Sequence, residues 1–120
     1  MTKKVLMVDD DPRLRALVAA TLGHEYVLLE ASDGEQGLRL ARQEAPDVVL
    51  LDVLMPGLNG IEVCRRLKND STTSHIKVIM LTGLDSDKDQ DEAFRAGADD
   101  YFVKPFSPRK LLSKLSQVLG

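Results

Sequence analysis

The chain has 120 residues, a single cysteine and a formal net charge of −3. That length predicts one domain over residues 1–120 with a single hydrophobic core, and the acidic balance argues against direct nucleic acid contact or binding to an anionic membrane. Because a lone cysteine excludes an internal disulfide framework and no apolar run approaches the ~20 residues of a membrane span, we expect a cytoplasmic protein without a signal peptide.

Apolar segments rich in β-branched residues alternate along the chain with segments of helical periodicity. Strands are predicted over residues 4–8, 26–30, 48–52, 77–81 and 101–103. The first helix is expected to be capped by Asp11 and ended by Gly23, with apolar positions at 14, 17, 18 and 22. Further helices are predicted from about 32 to 45, around 61–67, over 87–96 and from 107 to the end. Since the strands are apolar throughout, helices should cover both faces of a parallel sheet, which indicates a doubly wound α/β sandwich.

Residues with reactive side chains lie at the ends of four of these strands. Asp9 and Asp10 follow the first strand, Asp52 ends the third, and Thr82 and Lys104 follow the fourth and fifth. The carboxyl ends of parallel strands lie at one edge of a sheet, where ligands of such folds bind. Adjacent carboxylates repel each other, so this edge also requires a cation or a helix N-terminus nearby.

Taken singly, several of these residues have simpler interpretations. Asp52 alone would serve equally well as a loop cap, and Thr82 as an ordinary end of a strand. His24 and His75 lie in polar segments without metal-ligand spacing, so we expect surface positions for both. Cys64 is expected to pack in the core. It is the convergence of the strand ends that favours a functional site.

The motifs at the strand ends resemble those of the receiver domain of bacterial two-component response regulators. They are Val8-Asp9-Asp10-Asp11, Leu51-Asp52 with Met55-Pro56-Gly57, Leu81-Thr82-Gly83 and Lys104-Pro105-Phe106, in this order across the whole chain. The resemblance implies a flavodoxin-like (βα)5 fold with strand order 2-1-3-4-5. It also implies that Asp52 accepts a phosphoryl group from a sensor histidine kinase or a histidine phosphotransfer domain.

An attack by a carboxylate on a phosphoryl group brings negative charges together, so a divalent cation is expected, and Mg²⁺ or Mn²⁺ suits oxygen ligands. By resemblance, Asp10, Asp52 and the backbone carbonyl of Leu54 hold the metal, with Asp9 acting mainly through water. Lys104 pairs with a phosphoryl oxygen, and the family places a cis peptide between it and Pro105.

The resemblance further implies a switch. Thr82 donates its hydroxyl to the phosphoryl group, Gly83 leaves that group approachable, and Tyr101 turns into the vacated space. The fourth helix, fifth strand and fifth helix then shift to control an effector domain or partner protein, with a homodimer as one form of output. The apolar Leu54 and Leu84 flank the path of attacking water in the family, and we expect them to slow hydrolysis.

Two other classes remain as alternatives. A phosphatase of the haloacid dehalogenase type also forms an aspartyl phosphate, but it needs a second acid at the position of Leu54. A receiver that only binds partners would not need the full set of acceptor, metal, threonine and lysine residues. We therefore expect no enzyme in the usual sense, only self-phosphorylation and autodephosphorylation. Whether residues 1–120 stand alone or belong to a longer regulator is left open.

Overall fold

The computed structural model describes residues 2–120, in which strands and helices alternate strictly. The strands are β1 (Lys3–Val8), β2 (Tyr26–Ala31), β3 (Val48–Leu51), β4 (Lys77–Thr82) and β5 (Asp100–Val103). The helices are α1 (Pro12–Leu22), α2 (Gly34–Glu44), α3 (Gly60–Asn69), α4 (Asp87–Arg95) and α5 (Pro108–Leu119). Within the described chain, no helix has the length and apolar character needed to cross a membrane.

The five strands form one parallel sheet in the order β2-β1-β3-β4-β5. The predicted fold class and strand order are therefore confirmed. The register aligns the carboxyl ends: Val8 lies opposite Leu51, and Thr82 lies opposite Val103. Because these four residues end their strands, Thr82 and the side chains that follow Val8, Leu51 and Val103 are brought to one edge of the sheet.

Both faces of the sheet are covered, which explains the continuous apolar strands. Leu6 and Val8 of β1 pack on the side of α2, α3 and α4, whereas Val5 and Met7 pack on the side of α1 and α5. The same alternation holds in β3 and places a fully buried aliphatic layer on each face. Such a core fixes the strand ends rigidly, because a one-residue slip would reverse every side chain.

Polar side chains begin each helix at a defined point. Asp11, Asp33, Asn59, Ser86 and Ser107 are the N-caps of α1 to α5, and each accepts a hydrogen bond from a backbone N–H in the first turn. The predicted cap at Asp11 and the end of α1 at Gly23 are thus confirmed. Each cap satisfies one N–H group that has no partner within its own helix.

Gly60 allows the start of α3 to lie directly against the loop that follows Asp52. A Cβ atom at residue 60 would lie 2.1 Å from the Asp52 carbonyl oxygen and 2.8 Å from Val53 Cα. We expect Gly60→Ala to lower the free energy of unfolding by about 1–3 kcal/mol, since rigid backbone would have to move. Urea unfolding measures the loss.

Gly83→Ala is the matched control for this prediction. A Cβ atom at residue 83 meets nothing within 4 Å, so the same substitution should change stability by only a few tenths of a kcal/mol. Equal losses in the two variants would show that the close approach at Gly60 is not what destabilises the fold.

Candidate functional site

The hydrogen-bond ladder of the sheet continues one residue beyond the strands and holds the backbone of the site. The N–H of Asp9 donates to the Ala31 carbonyl at 3.1 Å, and that of Asp52 donates to the Val8 carbonyl at 3.0 Å. The N–H of Lys104 donates to the Thr82 carbonyl at 2.7 Å. The backbone of these candidate site residues is therefore positioned by the sheet rather than by free loops.

Three carboxylates meet at this edge. Asp9, Asp10 and Asp52 each offer an oxygen, and these oxygens lie within 4.8 Å of one another. Asp9 and Asp52 are buried, with 1% and 6% of their surface exposed, whereas Asp10 is open to solvent. We call these three residues the acidic cluster.

Lys104, which follows β5, reaches the acidic cluster, whose carboxylates follow β1 and β3. Its ammonium donates to Asp9 Oδ2 at 2.9 Å and lies 3.5 Å from Asp52 Oδ2. The Lys104–Pro105 peptide is cis, as the resemblance implies. The family resemblance implies contact between Lys104 and a phosphoryl oxygen. The contact between Lys104 and Asp9 within the protein was not predicted from the sequence.

Burial raises the pKa of Asp52 above the usual value, the Lys104 ammonium lowers it, and the Asp9 charge raises it again. One ammonium cannot neutralise the three carboxylates of the acidic cluster. The cluster therefore has excess negative charge in a partly buried place, and its donors are all oxygens. Both properties fit a hard divalent cation such as Mg²⁺ or Mn²⁺.

The consecutive acids Asp9, Asp10 and Asp11 have separate surroundings, which explains how the chain tolerates them. Asp9 Oδ1 accepts the Asp11 N–H at 2.9 Å, while the Asp11 carboxylate accepts the Arg13 N–H at 2.9 Å and caps α1. Only Asp10 points to the open side of the acidic cluster. The sequence predicts a cation or a helix N-terminus near this run. The Lys104 ammonium and the N-terminus of α1 supply both.

Thr82 and Tyr101 are joined through the backbone of one residue. The Leu84 N–H donates to Thr82 Oγ1 at 3.3 Å, and the Tyr101 hydroxyl donates to the Leu84 carbonyl at 2.6 Å. Thr82 is fully buried, and its hydroxyl still has a proton to donate. Tyr101 is half-buried and lies 6.4 Å from Phe94 of α4 between ring centres. A movement of Thr82 therefore has a direct physical route to α4.

Leu54 lies at the mouth of the site. Its N–H donates to Asp52 Oδ1 at 3.3 Å, while its side chain is 59% exposed. Leu84 is partly buried against the core, and a side chain at Gly83 would meet open space. The two leucines lie two residues after Asp52 and two residues after Thr82.

Arg15 belongs to this site and was missed by the sequence analysis. It lies on α1, and its Nη1 donates to the carbonyl of Asp9 at 2.6 Å. A signal for it exists: side chains of a helix lean toward its N-terminus, so a cation one turn into α1 reaches back to the end of β1.

The remaining candidates have no part in the site. His24 and His75 are exposed, as predicted. Cys64 is fully buried, and burial raises the pKa of its thiol to about 11. A thiol with that pKa is protonated at neutral pH. The full burial of Cys64 confirms the prediction of core packing.

Comparison with known proteins gives one consistent family. The family model of the response regulator receiver domain matches residues 5–116. Protein PilH of Pseudomonas aeruginosa is 44% identical over 118 residues, which cover 98% of each chain. The phosphate regulon transcriptional regulatory protein PhoB of the same organism is 42% identical over 118 residues, with 98% of this chain and 52% of PhoB covered.

The structural comparison agrees with the sequence comparison. The chemotaxis protein CheY4 of Vibrio cholerae superposes with a TM-score of 0.93 at 35% identity, covering 99% of this chain and 100% of CheY4. The chain spans about half the length of several curated relatives that it matches, PhoB among them. The chain belongs to the response regulator receiver domain family and is a phosphorylation-dependent signalling switch.

Proposed function

We propose that Asp52 is the phosphoryl acceptor of this switch in a reaction that depends on Mg²⁺ or Mn²⁺. The observation that carries the proposal is a buried carboxylate, 3.5 Å from a lysine ammonium and grouped with two further carboxylates at the edge of the sheet. The catalytic residues are Asp52, Lys104 and Thr82. No feature of the comparisons favours a phosphatase or a binding-only protein.

The metal would be held by Asp10, Asp52 and the backbone carbonyl of Leu54. Both oxygens of Asp9 already accept hydrogen bonds, from Lys104 and from the Asp11 N–H, which supports a role for Asp9 mainly through water. When bound, the cation supplies the positive charge that lets an anionic phosphoryl group approach a carboxylate.

In the transfer step, an oxygen of Asp52 forms a bond to phosphorus while the bond from phosphorus to the donor nitrogen breaks. The electron pair of that bond returns to the imidazole of the donor histidine. Lys104 lowers the pKa of Asp52 against the effect of burial, and so favours the ionised, nucleophilic form. The same ammonium is available to pair with a phosphoryl oxygen after transfer.

We propose that the change is carried outward through Leu84. When Thr82 turns its hydroxyl to the phosphoryl group, the Leu84 N–H loses its acceptor. The Leu84 carbonyl accepts a hydrogen bond from the Tyr101 hydroxyl, so a shift of the Leu84 backbone also moves Tyr101. Tyr101 packs against Phe94, so the shift reaches the face made of α4, β5 and α5. Coupling of this kind is typically worth ~1–3 kcal/mol.

The expected phosphoryl donor is a sensor histidine kinase or a histidine phosphotransfer domain. The output acts on an effector domain or a separate protein, or through a homodimer of phosphorylated chains. Residues 1–120 act as one receiver domain in the cytoplasm, without direct nucleic acid contact. The domain catalyses its own phosphorylation and slow autodephosphorylation and turns over no other substrate.

Intact mass after incubation with acetyl phosphate tests the proposal. We expect one added phosphoryl group in the wild type with Mg²⁺, and none without Mg²⁺ or in Asp52→Asn, because the carboxylate and the cation are both required. Addition to folded Asp52→Asn would place the acceptor elsewhere. No addition to folded wild type in the presence of Mg²⁺ would favour the binding-only protein.

A further inference from the structure

Arg15 makes two contacts that use the fixed geometry of its guanidinium. Nη1 donates to the Asp9 carbonyl at 2.6 Å, and Nε pairs with Glu30 Oε1 near the end of β2 at 3.2 Å. Only 19% of the Arg15 side chain is exposed, although it lies on the outer helix α1. A planar guanidinium can serve both acceptors at once, whereas a lysine ammonium has no such fork.

The carbonyl that Arg15 holds belongs to the peptide joining Asp9 to Asp10. Asp9 is also fixed by the ladder and by Lys104, and Asp52 is fixed by the ladder and by the Leu54 N–H. Among residues 2–120, the exposed Asp10 carboxylate has no comparable hydrogen bond, so its position follows from the backbone that precedes it.

We propose that Arg15 is a positioning residue for the divalent cation. By holding the Asp9–Asp10 peptide against α1 and Glu30, it directs the Asp10 carboxylate toward Asp52 and so sets the affinity of the acidic cluster for metal. This inference rests on the proposed function, since it assumes that the acidic cluster binds the cation.

For loss of Arg15, an effect of charge and an effect of position change the metal affinity in opposite directions, which makes the inference testable. Removing the Arg15 charge near a metal site strengthens metal binding if only the Coulomb repulsion between the two cations matters. Losing a residue that orients a ligand weakens metal binding, typically by 10–100-fold. We expect Arg15→Met to weaken Mn²⁺ binding by about tenfold, as measured by calorimetric titration of the metal-free protein. Arg15→Lys should also weaken it severalfold, because it keeps the charge and loses the fork.

Arg13→Met is the matched control, because Arg13 is an exposed arginine on the same turn of α1. It should leave Mn²⁺ affinity unchanged or slightly raised. In the two Arg15 variants, saturating Mg²⁺ should restore most of the rate of phosphorylation by acetyl phosphate, which a damaged fold would not allow. Thermal unfolding without metal confirms that every variant is folded at the temperature of titration.

The outcomes separate this inference from the proposed function. If wild type binds no Mn²⁺, both the metal site and the role of Arg15 are wrong. If wild type binds Mn²⁺ and Arg15→Met binds it equally or more tightly, the metal site stands and the positioning role is overturned. Weaker binding in Arg15→Met but not in Arg15→Lys would keep the positioning role, since loss of charge alone predicts tighter binding, and would overturn the need for a forked guanidinium.

Discussion

Lys104→Met is expected to lower the free energy of unfolding by about 2–3 kcal/mol at pH 7 without metal, because it leaves buried carboxylates without their cation. Lys104 contacts both Asp9 and Asp52, which are 1% and 6% exposed. Urea unfolding at several pH values measures the effect. The exposed Lys110 provides the control, since Lys110→Met removes the same charge from the surface.

The pH dependence of this loss has a definite sign. Burial already raises the pKa of Asp52, and removal of Lys104 raises it further. A carboxyl group whose pKa is higher in the folded state than in the unfolded state costs stability above its folded pKa and nothing below its unfolded pKa, near 4. The difference between Lys104→Met and wild type should therefore be largest at neutral pH and shrink as the pH falls toward 4.

Asp52→Asn should act in the opposite direction. It removes one buried negative charge from the acidic cluster and should stabilise the metal-free protein by on the order of 1 kcal/mol at pH 7.

If Lys104→Met and Lys110→Met are equally stable at pH 7, the acidic cluster does not depend on Lys104, and this account of its electrostatics is wrong.

Leu54→Asn is expected to shorten the lifetime of the phosphorylated protein by about tenfold, which corresponds to ~1.4 kcal/mol in the barrier to hydrolysis. The Leu54 side chain is 59% exposed beside Asp52, to which its own N–H donates. An apolar side chain there offers no hydrogen bond to water approaching the acyl phosphate, whereas an amide does. Loss of the phosphoryl group over time, followed by intact mass, gives the lifetime.

Two controls distinguish polarity from shape and from general effects. Leu54→Met keeps the position apolar and should leave the lifetime within about twofold of wild type. Val27→Thr adds a polar group to an exposed aliphatic residue on β2, far from the site, and should change nothing. A lifetime for Leu54→Asn equal to that of Leu54→Met would remove the argument for shielding by this residue.

The strand ends were predictable because they depend on local pattern. Each apolar run closes on a polar residue, and a parallel sheet with covered faces brings those residues together. Asp9, Asp52, Thr82 and Lys104 therefore lie where the sequence predicts them. All five strands differ from their predicted ranges by one residue. In β1, β4 and β5 the added residue is polar, Lys3, Thr82 and Asp100, which no apolar pattern marks.

What the sequence could not predict depends on how the elements pack. Leu17 has the apolar spacing of Val18 and Leu22, yet it is 46% exposed while the other two are buried. The position of Arg15 one turn into α1 signals that its side chain can reach back to the end of β1, but the Asp9 carbonyl as its acceptor is visible only in the structure. The link from Thr82 to Tyr101 passes through backbone atoms of Leu84, which carry no signal in the sequence.

The ion pair between Lys104 and Asp9 joins residues that are 95 positions apart. A chain that has assembled β1 to β4 but not β5 already holds the acidic cluster together, yet it lacks the cation that β5 brings. Its carboxylates then repel one another without compensation, so partly assembled forms are disfavoured relative to the complete domain. The residues that make the switch reactive thus also make its folding more nearly all-or-none, with the first strand and the last strand dependent on each other.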